Sequence, residues 1–218
     1  MGPVQPVMLG KSSMKTDLNR RRTPSQKRAR DTIESILAAT GDLLDEVGFE
    51  NLSTNLICKK AGLTPPALYR YFPNKHAIMS ELGQRLMAQQ NAMMRGIFDG
   101  FSADDDLVAV IRHAMEAQLI LTENTPGGHW ITKALYASPA LCAVRTRSHE
   151  MATDDLMATV ALAFPGLPED ALRKTLRLTV EIGYSVIEFL LDVPETDRDS
   201  HLSETAELLA FSLARHQA

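Results

Sequence analysis

The stretch from Gly48 to Lys75, GFENLSTNLICKKAGLTPPALYRYFPNK, gathers the side chains of this chain best suited to chemistry, and that chemistry is recognition of an anion. Thr54 and Asn55 fall at the expected start of a short helix, where free backbone N–H groups and the positive end of the helix dipole favour a phosphate. Arg70 carries a planar fork that matches the O6 and N7 edge of guanine, a pairing that discriminates between bases by ~1–3 kcal/mol; the same fork can instead hold a phosphate. Thr64, Pro65, Pro66, Ala67, Tyr69 and Tyr71 surround it, on the first turns and polar side of a second short helix. Lys75 begins the next helix. A cation is disfavoured at a helix start, so an anionic partner would account for it.

Other clusters of reactive side chains do not assemble into a site. Asp104-Asp105-Asp106 and Asp154-Asp155 are adjacent positions on helices and point apart. His149-Glu150 has no second metal ligand one helical turn away, and no phosphate loop, nucleophile elbow or zinc spacing occurs. The expectation is no catalytic residue, no metal and no cofactor. Cys58 and Cys142 are too few for a disulfide scaffold and read as two small core residues in a reducing compartment.

The elements that must position these residues are legible from their punctuation. Thr23-Pro24-Ser25-Gln26 forms a capping box, and Ile33, Ile36, Leu37, Leu43, Leu44 and Val47 recur at helical spacing until Gly48. Ser53 or Thr54 caps a second helix over 55–61, stopped by Gly62; Thr64 with Pro65 starts a third. Pro73-Asn74 precedes a long fourth helix from about Lys75 to Phe98. Two short helices around Ala61-Gly62-Leu63 have the layout of a helix-turn-helix, with Cys58 and Ala61 small at the crossing. Leu56, Ile57, Leu63, Leu68 and Phe72 are available to join them to the first helix.

Beyond Gly100, Ser102 with Asp105 opens a helix to about Glu123, and 129–137 follows the Pro126-Gly127-Gly128 break. Ser138-Pro139 starts another helix running to Phe164, followed by Pro168 to Asp192 and Asp199 to His216. No run alternates with the period of a strand. The chain is therefore expected to be all-α with roughly nine helices. The expected division is a disordered basic arm over 1–22, a three-helix helix-turn-helix domain over 23–75, and a helical domain over 76–218.

The composition, 44% hydrophobic and 23% charged over 218 residues, is that of a soluble globular protein. Its net charge of −4 argues against nucleic acid when read alone. The charge is divided, however: residues 1–75 carry 12 Lys+Arg against 7 Asp+Glu, and residues 76–218 carry 11 against 20, a head of +5 and a body of −9. Six of the 11 residues from Arg20 to Arg30 are basic. No apolar run reaches the ~20 residues of a membrane span, and neither a secretory leader nor a myristoylation signal is evident, so a cytoplasmic protein without membrane partners is expected.

Gly48-Phe49, Ser53-Thr54, Ile57, Ala61-Gly62-Leu63-Thr64, Leu68-Tyr69-Arg70-Tyr71-Phe72 and Asn74-Lys75, behind an amphipathic first helix, resemble the TetR-family transcriptional regulators over roughly residues 25 to 80. The resemblance implies a homodimer on a palindromic double-stranded operator, most simply a repressor released by a small effector. It implies DNA contacts from Arg22, Thr54, Asn55, Thr64, Pro65, Pro66, Ala67, Tyr69, Arg70 and Lys75, with one tyrosine packing and Tyr69 facing the DNA. Pro65-Pro66 stands where many members carry a glycine or polar residue. The pair removes two backbone N–H donors and stiffens the first turn.

The last two helices each carry two apolar faces, one to bury internally and one that needs a partner. Leu172, Leu176, Val180, Gly183, Ile187 and Leu190 lie beside Leu178, Ile182, Val186 and Phe189; Leu202, Ala206, Leu209 and Leu213 lie beside Leu208 and Phe211. The resemblance implies a four-helix dimer interface, for which Leu176, Val180, Gly183, Ile187, Leu202, Leu209 and Leu213 are the candidates, Gly183 by letting another backbone approach. The middle helices are left to enclose a mainly apolar effector. Phe98, His113, Gln118, Trp130, Met151 and Tyr184 are the candidate contacts, with Met93, Ile97, Met115, Leu135 and Met157 beside them. Two rival readings are an interaction module of the same fold without DNA binding, and an enzyme.

Overall fold

The computed structural model describes residues 27–163, 166 and 168–214. Among the described residues there are nine helices and no strand. They are α1 (Lys27–Asn51), α2 (Thr54–Ala61), α3 (Pro65–Tyr69), α4 (Lys75–Phe98), α5 (Leu107–Glu123), α6 (Gly128–Ala137), α7 (Cys142–Ala163), α8 (Glu169–Asp192) and α9 (Arg198–Ala214). The expected arm over 1–22, the Thr23 to Gln26 capping box and the helix ends at Phe164 and His216 lie outside the described residues.

Local signals account for most boundaries. Gly48 breaks the regular turns of α1 with φ 72° and ψ 171°, a conformation essentially confined to glycine, while the chain winds on to Asn51. Of the two candidate caps for α2, Ser53 does the work: Leu56 N–H donates to its Oγ at 3.3 Å. Gly62 closes α2 in the left-handed region, with φ 65°. Asn74 caps α4 by accepting from Ala77 N–H at 2.9 Å. The start of α5 differs from expectation. Asp106 caps it, accepting from Ala109 N–H at 3.1 Å, whereas Asp105 turns back to take Ser102 N–H at 2.7 Å and closes the preceding loop. Ser138-Pro139 likewise belongs to the turn before α7, not to the helix.

α1, α2 and α3 form a small head in which Ile33, Ile36, Leu44, Ile57, Leu68 and Phe72 are fully buried. Leu56 stays at the surface. In the body α4 packs on α7, α5 on α9, and α8 on both α7 and α9, while α6 lies against α1 and α4. Head and body meet with almost no spare room. A Cβ on Gly41 would stand 2.8 Å from the Pro126 carbonyl oxygen, and one on Gly48 3.1 Å from the Trp130 ring. Gly127 N–H donates to Asp45 Oδ2 at 2.8 Å across this joint.

The faces of α8 and α9 are the reverse of those assigned to a partner in the sequence reading. Leu176, Val180, Ile187, Leu202, Leu209 and Leu213 are buried inside the protomer, and Gly183 is half-buried on the same stripe. The set left in solvent is Leu178, Ile182 and Phe189, with Leu208 and Phe211 each 70% exposed. The body must bury its own chain first. Periodicity reveals that two faces exist without saying which one the remaining helices cover.

Candidate functional site

At the tip of the head, Tyr69 ends α3 at the surface, and its hydroxyl lies 3.0 Å from Thr54 Oγ1 at the start of α2. The pair spans a notch of about 290 Å³ bordered by Ser53, Asn74 and Lys75, onto which the first turns of α2 and α4 open. Arg70 follows α3, exposed, and its guanidinium has no hydrogen bond or ion pair among the described residues. Asn55, Thr64, Pro65 and Pro66 are exposed on the same side, and Ala67 is half-buried. Both prolines fall in the first turn of α3, where their missing N–H groups have no intrahelical acceptor to lose. Tyr71 is buried in the core, so the two tyrosines divide into one packing and one exposed. Arg22 lies outside the described residues.

Lys75, expected to clamp a phosphate, is also engaged within the protein. Its Nζ donates to the carbonyl oxygens of Phe49 at 3.1 Å and Leu52 at 3.2 Å and stands 4.5 Å above the Phe49 ring. It therefore ties the start of α4 to the segment between α1 and α2. The adjacent His76 packs edge-on against Phe49, and burial, then the Lys75 charge, hold its pKa below the ordinary histidine range.

The body encloses a cavity of about 50 Å³ among α4, α5, α7, α8 and α9. Phe98, Gln118 and Tyr184 line it, as does Met115. The other expected contacts are elsewhere. Trp130 fills the head–body joint against Gly48, Met151 sits half-exposed in an outer cleft between α4 and α7, and His113 is exposed on α5. Leu135 packs against Gly83, and Met93, Ile97 and Met157 do not line the cavity. Met94, Ile111, Leu156 and Thr179 do line it and were not anticipated. Their only sequence signal is an inward position on a helix, which core residues share.

Beside the cavity, the fully buried His149 ring stacks on Tyr184 with centroids 4.1 Å apart. Its Nδ1 is 3.0 Å from Glu181 Oε2 yet out of line for a hydrogen bond. Glu181 in turn accepts from Arg177 at 2.6 Å and Arg145 at 3.2 Å. Burial lowers the His149 pKa against the pull of Glu181, so the ring is neutral near pH 7. Burial also raises Tyr136 to about 12 and holds the Tyr184 phenol well above its ordinary range. His149 thus pairs with a carboxylate on another helix rather than with Glu150. Among the described residues no group of three His, Cys, Asp or Glu could hold a metal ion, and no helix is long and apolar enough to cross a membrane.

Comparison with known proteins places this arrangement. The family described as bacterial regulatory proteins, tetR family, matches residues 36–82. Over 57 residues the chain is 35% identical to the class A tetracycline repressor protein of transposon 1721 from Escherichia coli, 26% of each chain being aligned. Residues 36–82 are thus similar to the TetR family. The aligned part spans about a quarter of that repressor's length. The fold of the whole chain is matched by a tetR-family transcriptional regulator from Streptomyces coelicolor, with a TM-score of 0.68 at 16% identity over 86% of this chain and 82% of that one. A TetR-family protein from Syntrophomonas wolfei superposes with a TM-score of 0.66 at 12% identity over 85% of this chain and 96% of its own.

Proposed function

We propose that this protein is a sequence-specific DNA-binding transcriptional regulator of the TetR family, a homodimeric repressor released from a palindromic operator by a small, mainly apolar effector. The observation that carries the reading is the tip of the head. Arg70 and Tyr69 stand exposed at the end of a short, firmly packed helix, and the Arg70 guanidinium has no partner among the described residues. Such a helix fits a major groove, where Arg70 would read a guanine edge while Thr54, Asn55, Thr64 and Tyr69 meet the flanking phosphates. Pro65, Pro66 and Ala67 would offer an apolar surface suited to a thymine methyl. The basic arm, Arg22 included, adds attraction that needs no sequence.

In this reading residues 23–75 form the DNA-binding domain and 76–218 the effector-binding and dimerisation domain of a cytoplasmic protein. Leu178, Ile182, Phe189, Leu208 and Phe211 form the apolar face that a second copy would cover. Two-fold symmetry would then present two heads to two half-sites. An effector that prefers one separation of the heads, and DNA that prefers another, must oppose each other by linkage. The tight joint of Gly41, Gly48, Asp45, Gly127 and Trp130 would pass body movement to the head.

Selection of bound duplexes from a random pool by the purified protein tests this. An inverted-repeat consensus that Arg70→Ala fails to enrich is the expected result. A pool that stays random, with binding that salt alone controls, would reject sequence-specific regulation.

A further inference from the structure

Gly183 stands in the middle of α8 without either usual reason for a glycine. Its φ is not positive, so the backbone does not require it. Nothing lies within 4 Å of where its Cβ would be, so no neighbouring backbone within the protomer requires it either. A glycine inside a helix costs roughly 0.5–1 kcal/mol relative to alanine. What its missing side chain leaves open is the body cavity, whose wall it forms beside Tyr184.

The other wall holds an unmet donor. Gln118 is only 4% exposed, and its amide Nε2 has no hydrogen-bond partner. A buried donor left unpaired costs about 1–3 kcal/mol. The remaining polar lining is already engaged: Thr179 Oγ1 donates to the Thr175 carbonyl at 3.0 Å, and the Tyr184 hydroxyl donates to Asn91 Oδ1 at 3.5 Å. No Asp, Glu, Lys, Arg or His lines the cavity, so an ion there would lack a counter-charge. The volume of about 50 Å³ holds little more than one water, but Met94 and Met115 form part of the wall and are side chains that yield readily.

We infer that the cavity takes a neutral molecule with an apolar body and a carbonyl oxygen, that the Gln118 Nε2–H donates to that oxygen, and that the bare Cα of Gly183 leaves room for the body. The inference rests on the reading of residues 76–218 as the effector-binding part and gives the effector's chemical class. It also moves Gly183 from a contact between copies to a determinant of ligand size.

The test uses the full chain and three probes of similar size, acetophenone, ethylbenzene and benzoate, with affinity read by calorimetry and stability by thermal unfolding. Acetophenone is expected to bind about tenfold or more tighter than ethylbenzene, the worth of one buried hydrogen bond. Benzoate should be weakest. Gln118→Leu should erase the preference for acetophenone while raising Tm, because the orphan donor is gone. Gly183→Ala should also raise Tm, yet weaken acetophenone about tenfold by filling space, with the oligomeric state unchanged. Failure of all three probes to bind, equal affinity for acetophenone and ethylbenzene, or a preference that survives Gln118→Leu would overturn the inference. So would a Gly183→Ala protein that keeps acetophenone affinity but changes oligomeric state. If acetophenone binds with the expected preferences but leaves the selected operator bound, the inference stands and the effector-release reading fails. If the operator is selected as expected and no probe prefers the carbonyl, the inference fails while the DNA-binding reading stands.

Discussion

Lys75 and Phe49 are joined twice: the ammonium donates to the Phe49 carbonyl at 3.1 Å and lies 4.5 Å over the aromatic ring of the same residue. A lysine at a helix start, which simple dipole reasoning disfavours, is thereby stabilised by carbonyl groups at the end of α1. Its main role is to hold the head to the first turn of α4.

Lys75→Met is accordingly expected to destabilise the protein by about 1.5–3 kcal/mol, the range for hydrogen bonds to a charged group. Urea unfolding measures it. A lysine serving only as a phosphate clamp would leave the midpoint in place and change only the salt dependence of DNA binding.

Arg70→Ala is expected to show the opposite pattern. No side-chain hydrogen bond or ion pair among the described residues is lost, so stability should change by no more than ordinary surface substitutions do, about ±0.5 kcal/mol. Affinity for the selected operator should fall by ~1–3 kcal/mol, and discrimination at one base position should relax. Gel-shift titration against single-base variants separates this from a phosphate contact, which would weaken every sequence equally.

On α9 two neighbouring leucines should behave differently. Leu209 is 3% exposed, and Leu209→Ala should cost about 2–5 kcal/mol, as buried leucines do. Leu208 is 70% exposed, and Leu208→Lys combined with Phe211→Lys should leave the protomer folded but dissociate the proposed dimer in sedimentation. A double variant that remains dimeric would exclude this face as the interface.

His149 makes stability depend on pH. Burial holds its folded pKa below the ordinary 6.5, so between those two values the unfolded chain binds a proton that the folded one refuses. The contribution is complete above the ordinary value and is lost as pH falls from there toward the folded pKa. Glu181, Arg145 and Arg177 stand around the ring, and Glu181, itself held below its ordinary 4.5, titrates in a lower window. His149→Phe keeps an aromatic ring on Tyr184 and removes the charge, so its thermal stability should vary less than wild type between about pH 5 and 7. An unchanged slope would show that other groups set it.

The readable and unreadable parts of the chain differ in range. Gly48, Ser53, Gly62 and Asn74 act on backbone within a few residues, and the helix boundaries they announce are found where the local rules put them. The division of Tyr69 and Tyr71 into one exposed and one buried ring was implied by the family resemblance, not by a local rule. Lys75 could not be read in this way because its acceptors belong to the end of another helix. Trp130 and His149 were equally opaque. The first is defined by Gly48 and the second by Glu181 and Tyr184, all remote in sequence.

By itself, the sequence determined an all-α chain, the positions of its helices, a basic head of +5 before an acidic body of −9, and the side chains gathered at the head's tip. These properties follow from local backbone preference and from composition, which do not depend on neighbours far along the chain. Only the tertiary structure decided which stripe of α8 and α9 turned inward, which of the candidate side chains reached the cavity, and that Gly183 borders empty space. A helix with two apolar faces is locally indifferent to which is buried. The choice is made by the area the other helices can cover and the donors they leave unpaired.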